Sequence, residues 1–487
     1  MRKVLVGLGL ALLVVVSILL WNTFTFESRQ LTDVPSAPPV AVSDSVISHL
    51  SRAVRFRTVS YQDASLTDST QFQAFLSFLT TTYPNVHAKL SLERINNFGL
   101  LYQWKGSDAT LKPMLLMGHY DVVPVIQGTE RMWKKPPFAG VVEDGFIYGR
   151  GTLDDKSTVI GILEAVEYLA STGYKPTRTV YLAFGHDEEI SGRQGGKAIA
   201  TTLEKRGVQL EMVLDEGGTI KTDGVAGLKS SVALVGIAEK GYTSLEITAR
   251  GEGGHSSMPP HKTSISILAS ALNKLQQTPF ESSLKGTVGE MLKYLGPEMP
   301  FGQKLAIANR WLLEPVLINI FSATNAGAAS IQTTIAPTIL KAGIKDNVLP
   351  IDATAIINFR ILPGDSVKGV LEHVRNAIDN PDVSVRTLGE FDTEPSPVSS
   401  PDAEAFQLLN RTIRSCYPDV VVTPYLVVGA TDARYFRKVS NNIYRFTPYQ
   451  LNDDDLNRVH GTNERIEATT FKEMIRFYAT LIRNVAR

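Results

Sequence analysis

Residues 178–218 read RTVYLAFGHDEEISGRQGGKAIATTLEKRGVQLEMVLDEGG. The stretch opens on an apolar run, Val180 to Phe184, built mainly from the β-branched and aromatic types that favour strands. The run leads into His186, Asp187, Glu188 and Glu189, followed by a glycine-containing turn and a helical segment, GGKAIATTLEKRG. A second apolar run, LEMVLDEGG, ends in Asp215 and Glu216. Strand–helix–strand alternation predicts a largely parallel sheet covered by helices. In such sheets functional groups gather beyond the carboxyl ends of the strands, which is where this stretch carries its acids.

The same alternation extends in both directions. SDSVISHLSRAVRF opens with capping residues and continues at helical spacing, and after Pro84 the segments VHAKLSLERI, FGLLYQW and PMLLMGHYD read as strands. DDKSTVIGILEAVEYLAST places Val159, Ile162, Leu163, Val166 and Leu169 on one helical face. Beyond Glu239 the pattern changes to an alternating strand YTSLEITARGEG, a helix TSISILASALNKLQQ and a strand ATAIINFRILPG, a separate α+β module set into the first domain. The α/β pattern then resumes and closes on the helix ATTFKEMIRFYATLIRN. Within the insert, KLAIANRWLLEPVLINIF (304–321) is strongly apolar, but Pro315 and its charged residues argue against a membrane span, and core or dimer packing is the default reading.

At the N-terminus, Arg2 and Lys3 precede an uncharged run from Val4 to Phe26, long enough to cross a hydrocarbon core of about 30 Å. The run ends in WNTFTFE, with interfacial aromatics and no small-residue cleavage site, so a signal anchor is expected, its body on the extracytoplasmic side. A cleaved signal would leave the protein secreted instead. DVPSAPPVAV (33–42) reads as a semi-rigid tether. The chain therefore divides into a transmembrane helix (1–26), a tether (27–42), a first part of the main domain (43–238), the insert (239–365) and a second part (366–487).

Composition narrows the chemistry. The 487 residues include 49 Lys+Arg and 49 Asp+Glu, a balance with no electrostatic footprint for nucleic acid. A single cysteine, Cys416, rules out an intrachain disulfide and a cysteine-built zinc site, and eight histidines leave a short list of nitrogen ligands. Five clusters of acids and histidines fall at strand ends or turns: MGHYDVV with His119 and Asp121, YGRGTLDDK with Asp154 and Asp155, GHDEEISG, MVLDEGG and NRVHGTNERI with His460. His119 and Asp121 are two apart on one strand face, so Asp121 can hold the imidazole. Taken singly, each cluster has a structural explanation as a cap or a core histidine. Together, two histidines and three carboxylates make the mixed nitrogen–oxygen set that a pair of zinc ions favours. Asp154, Glu189, Asp215 and a hydroxide would balance the four positive charges, and one more carboxylate would serve as proton shuttle.

The ordered motifs LLMGHYDVVPV, PPFAGVVEDGFIYGRGTLDDK, GHDEEISG, VLDEGG, GGHSSMPP, IKDNVLP, NFRILPG and YRFTPYQ…RVHGTNERI resemble the dinuclear-zinc exopeptidase and aminoacylase superfamily. That superfamily holds carboxypeptidase S, carnosinases and bacterial deacylases, and the resemblance extends to its N-fatty-acyl-amino-acid synthase/hydrolase branch from about residue 43 onward. It implies a zinc exopeptidase fold, α/β with an inserted lid that also dimerises, and two Zn²⁺ per subunit. His119 and Glu189 would bind one zinc with bridging Asp154, and Asp215 and His460 would complete the other. Spacing alone does not separate ligand from base in the Glu188–Glu189 pair; the resemblance makes Glu188 the general base and Asp121 the residue that orients His119. It makes His255 an oxyanion donor to a neighbouring active site, and Arg360 and Asn347 lid residues that grip the substrate. VVGATDAR (427–434) resembles the family's substrate loop, with Ala430 departing from its usual glycine or asparagine, and Thr431 is its candidate contact. The implied reaction is reversible hydrolysis of N-acyl amino acids, with short peptides as the carboxypeptidase-like alternative. A tethered binding protein that had lost catalysis would be expected to lack a ligand or the base, and all are present.

Overall fold

The computed structural model describes residues 1–225, 227–389 and 391–486. In chain order, the framing helices are α1 (Arg2–Phe24), α2 (Lys156–Ser171), α3 (Ser264–Gln277), α4 (Phe301–Ala308), α5 (Arg310–Ser322), α6 (Val367–Ile378) and α7 (Ala468–Val485). The main strands are β1 (Ser91–Ile95), β2 (Gly99–Trp104), β3 (Met114–His119), β4 (Val180–Gly185), β5 (Met212–Asp215), β6 (Val232–Glu239), β7 (Gly241–Arg250), β8 (Thr334–Ala342), β9 (Asp352–Ile361), β10 (Val383–Thr387), β11 (Val421–Val427) and β12 (Ile443–Arg445).

The central sheet runs β1-β2-β4-β3-β5-β12-β6, with β11 alongside β6. Its centre is parallel: β3 pairs with β4 and β5, and β5 with β12. One edge is antiparallel, so the sheet is mixed around its parallel centre. The cause is local. Asn96 and Asn97 take positive φ in the turn between β1 and β2, and so tight a turn joins only antiparallel strands. VHAKLSLERI is likewise not one strand, because Pro84 opens a short helix, Pro84–Lys89, that seats Val86 in the core before β1 begins.

α2 lies between β3 and α7 and is buried on nearly every side. Val159, Ile162, Leu163, Val166 and Leu169 enter the main core as their spacing predicts. The parallel strands beneath it carry His119 at the end of β3, the Glu188–Glu189 turn just beyond β4, and Asp215 at the end of β5.

A second, four-stranded antiparallel sheet runs β8-β9-β7-β10. In β7 and β9 buried and half-exposed residues alternate, and α3 and α6 close the buried face around Leu245, Ile247, Ile357, Phe359 and Val374. This unit continues to Thr387, past residue 365, because Val370, Val374 and Ile378 of α6 belong to its core. Conversely, Leu284, Leu292, Ile307 and Leu317 pack with Val232 and Leu234 of β6. Their segment, though inside the insert by sequence, belongs to the body.

Residues 27–42 form a strap on the body rather than a free tether. β11 pairs with β6 on one side; on the other, the Gln30 amide donates to the Val422 carbonyl at 3.0 Å and accepts from its N–H at 2.8 Å. Ala37 N–H donates to the Ser415 carbonyl, and Val40 enters the main core. Proline-rich composition removed the helical signal, but an edge strand's open hydrogen bonds needed covering. With two neutral hydrogen bonds lost at roughly 0.5–1.5 kcal/mol each, Gln30→Ala is expected to lower the thermal midpoint and speed proteolytic cleavage within 27–42. Unchanged cleavage would mean that the strap is not held here.

Candidate metal centre

The site is built from the ends of β3, β4 and β5 and from two loops that meet above them. His119 is almost fully buried, and its neighbour must be glycine-sized: a Cβ on Gly118 would lie 2.9 Å from the Asp155 carboxylate. The His119 Nδ1 faces the Asp121 carbonyl at 3.0 Å and its Oδ1 at 3.3 Å. This leaves Nε2 to point into the site. Asp121 does more than hold the ring. Its carboxylate accepts from Ser60 Oγ and from the backbone N–H groups of both Glu188 and Glu189, so it fixes the turn beyond β4 as well. Burial pushes its pKa up, but the His119, Ser60 and amide hydrogen bonds outweigh this and hold it below the usual carboxylate range.

Asp154 sits in the turn GRGTLDD, shaped from across the chain by Glu464. One Glu464 oxygen accepts from the N–H groups of Gly151, Leu153 and Asp154, and the other takes Arg150 Nη1 at 2.6 Å. Arg150 Nη2 in turn donates to the carbonyls of His460 and Gly461. A single buried ion pair therefore sets both the Asp154 turn and the His460 loop. Neither partner stands out in the sequence, because they lie 314 residues apart. Asp155 is buried beside them, accepting from the His119 N–H and the Tyr449 hydroxyl.

Among the described residues, two groups of ligand atoms result, and they share Asp154: His119 with Asp154 and Glu216, and His460 with Asp154 and Glu189. His119 Nε2 is 2.9 Å from Asp154 Oδ1 and 3.1 Å from Glu216 Oε1. His460 Nε2 is 2.9 Å from Asp154 Oδ2 and 3.2 Å from Glu189 Oε2. This corrects the sequence reading in two respects. Glu216, not Asp215, faces the site: as the last residue of β5, Asp215 turns away and accepts from the Ala433 N–H at 2.9 Å. Strand alternation could have separated the two, since adjacent residues leave a strand on opposite sides. The pairing also changes, Glu189 going with His460 and Glu216 with His119. Glu188 belongs to neither group and is partly exposed, while His186 and Asp187 lie outside both.

The electrostatics favour cations. Burial, and then the Asp154 charge, push the Glu189 and Glu216 carboxyls up to about 7. Hydrogen bonds to Asp154 and Glu189 push His460 up to about 10. Burial, then Asp432, Glu216 and Glu189, raise Glu188 well above the carboxylate range despite His119. One oxygen of Glu189 is buried without a hydrogen-bond partner. Three carboxylates converging on two imidazoles are costly as charges alone, and divalent ions would relieve that cost. The nitrogen–oxygen donor set fits such ions.

None of the residues assigned to the substrate belongs to either ligand group. His255 and Asn347 share one exposed tip of the second unit, where Gly254–His255 pairs with Val348–Leu349 and Ser256 N–H donates to the Asn347 carbonyl. Half-buried Arg360 lies over the Tyr242 ring at 5.0 Å; burial, and then repulsion by Arg434, lower its pKa despite Tyr242. Thr431 is buried. Its hydroxyl donates to Glu239 at 2.5 Å, and Glu239 also takes buried Arg445.

A model of peptidase family M20/M25/M40 matches residues 115–484. A probable carboxypeptidase S-like protein 2 of Dictyostelium discoideum is 38% identical, covering 100% of this chain and 93% of that protein. The human N-fatty-acyl-amino acid synthase/hydrolase PM20D1 is 40% identical over 89% of this chain and 86% of its own length. Among solved structures, the metallo-carboxypeptidase Sso-CP2 of Sulfolobus solfataricus covers 91% of this chain and 100% of its own with a TM-score of 0.64 at 18% identity. Human carnosine dipeptidase 1 covers 91% and 96% with a TM-score of 0.61 at 14% identity.

Two substitutions test this geometry. Glu216→Ala is expected to lower bound metal per chain, whereas Asp215→Asn, which keeps an acceptor for Ala433, should not; the reverse result would restore Asp215 as the ligand. Glu464→Gln breaks a buried ion pair, at a cost of about 3–5 kcal/mol, and should lower both the denaturation midpoint and metal content. A midpoint and metal content equal to the parent's would show that the pair does not organise the site.

Proposed function

The chain belongs to peptidase family M20/M25/M40 and is a metallohydrolase of that family, and we propose that it hydrolyses, reversibly, the amide bond of N-fatty-acyl amino acids with two zinc ions. The observation that carries this reading is the pair of ligand groups sharing Asp154, with Glu188 beside them and outside both. His119, Asp154 and Glu216 would hold one ion and His460, Asp154 and Glu189 the other. Bound there, the ions would polarise the scissile carbonyl and acidify water.

The side chains supply the rest. Glu188, its backbone pinned by Asp121, takes the proton of the attacking water and returns it to the departing amine. A raised carboxyl pKa suits a group that both accepts and donates that proton. Arg360 suits the free α-carboxylate of the amino-acid half, because a guanidinium binds a carboxylate through two parallel hydrogen bonds. His255 lies outside the ligand groups of its own chain, so its donation to the oxyanion is assigned to a second copy, in a homodimer formed through the second unit. α1 would anchor the protein with the body outside the cytoplasm, Arg2 and Lys3 marking the cytoplasmic end.

The acyl-amino-acid reading takes support from the name of the human relative, and a carboxypeptidase reading from that of the Dictyostelium protein, which the whole chain matches. Hydrolysis of N-oleoyl-phenylalanine and of a blocked dipeptide by the zinc-loaded protein, side by side, separates them. Preference for the dipeptide would favour the carboxypeptidase. Glu188→Gln should keep its metal and lose turnover by roughly 10²–10⁴-fold, the usual range for a general base. Metal retained with turnover intact would remove Glu188 from the mechanism.

A further inference from the structure

α5 is strongly apolar, broken by Arg310, Glu314 and Asn319, yet only one side of it is covered. Leu317 seats in the cluster under β6 and β11, whereas Trp311, Val316 and Ile320 are 61%, 50% and 59% exposed. Leu312, Val316 and Ile320 recur at i, i+4 and i+8 and form one stripe, with exposed Trp311 beside it in the first turn. An exposed apolar stripe of this kind marks a surface that a partner or a membrane covers.

What covers it is indicated by where α5 begins. Asn309, between α4 and α5, donates to the Leu19 carbonyl at 3.0 Å and to Thr23 Oγ1 at 3.3 Å, and accepts from Asn22 at 2.9 Å. Phe24 contacts Phe301 of α4, with ring centroids 6.1 Å apart. The last turn of α1 is thus tied to the residue that starts α5, two positions before Trp311. The rest of α1 stands clear of the body; the whole helix is 23 residues long, with mean hydropathy 2.9 in its most apolar window. If α1 spans a bilayer, residues 19–24 emerge in the outer interface, and the first turn of α5 lies at that same depth.

We propose that the outward stripe of α5 is a second membrane contact, lying in the interface of the leaflet from which α1 emerges; this rests on α1 being retained as an anchor. The chemistry suits a shallow position. Trp21, Phe24, Phe301 and Trp311 gather at this level as exposed aromatics, the residues that favour the interface. Pro315, within α5, has no N–H to offer the Trp311 carbonyl, and Asn319 also faces outward. Both are tolerable among headgroups and costly in hydrocarbon. The body would then be held against the membrane at two points and fixed in orientation, where a single helix would leave it free to swivel.

The test uses the full chain in phosphatidylcholine vesicles. In a Cys416→Ser background, Leu10→Cys, Val316→Cys and Ile320→Cys each carry an environment-sensitive fluorophore, read against lipids with a quencher near the headgroup or deep in the acyl chains. The proposal expects the Leu10 label to be quenched by the deep probe and the 316 and 320 labels by the shallow one. Quenching at Leu10, with 316 and 320 open to aqueous iodide, would overturn it and leave the anchor standing. Labels at 316 and 320 shielded from both, with disulfide cross-linking between unlabelled Val316→Cys copies, would overturn it in favour of a dimer interface. An unquenched Leu10 label would remove the anchor reading, and this proposal with it.

Discussion

The buried ion pair between Arg150 and Glu464 is the constraint on which the site depends. It joins a turn early in the body to a loop just before the last helix and so closes the fold across its second unit. A buried pair of this kind adds little stability by itself, since desolvation offsets the attraction, but losing one partner is expensive. What Glu464 provides is position. Three backbone N–H groups and one guanidinium converge on its carboxylate, and Asp154 is the residue those N–H groups deliver.

Asp121 plays the matching part on the other side. It holds His119 from behind and the Glu188–Glu189 turn from below. The centre is therefore supported by two buried carboxylates that belong to neither ligand group, each binding backbone amides from a separate element. Ligand groups carried on fixed strand ends and cross-linked turns need little rearrangement on accepting ions, which is the practical content of preorganisation. The second sheet and its exposed tip, by contrast, carry groups assigned to the substrate, on a unit with its own core.

Much of this was legible in the sequence. Apolar runs ending in acids located β3, β4 and β5, and the helical spacing of 154–172 located α2. The outer parts failed for identifiable physical reasons. Both strands of the hairpin that makes the sheet mixed are legible, but not their antiparallel pairing, which the Asn96–Asn97 turn sets, and the prolines of the strap mask its packing. The unit containing α6 was cut short because a helix packed on one core resembles a helix packed on another. Within the site, Asp215 and Glu216 are adjacent acids, and a composition argument cannot choose between them; strand alternation can. Thr431 matched a motif but spends its hydroxyl on buried Glu239. Glu464 gave no signal, because a lone acid acquires its meaning only from a partner brought near by folding.

The central claim is that Asp154 is shared by two ions, one beside His119 and Glu216 and the other beside His460 and Glu189. Anomalous diffraction from crystals of the zinc-loaded protein, recorded at the zinc edge, tests it most directly. The account predicts two peaks flanking the Asp154 carboxylate, about 3.5–4 Å apart as in two-metal sites. A single peak, or one bound by Asp215 in place of Glu216, would contradict it.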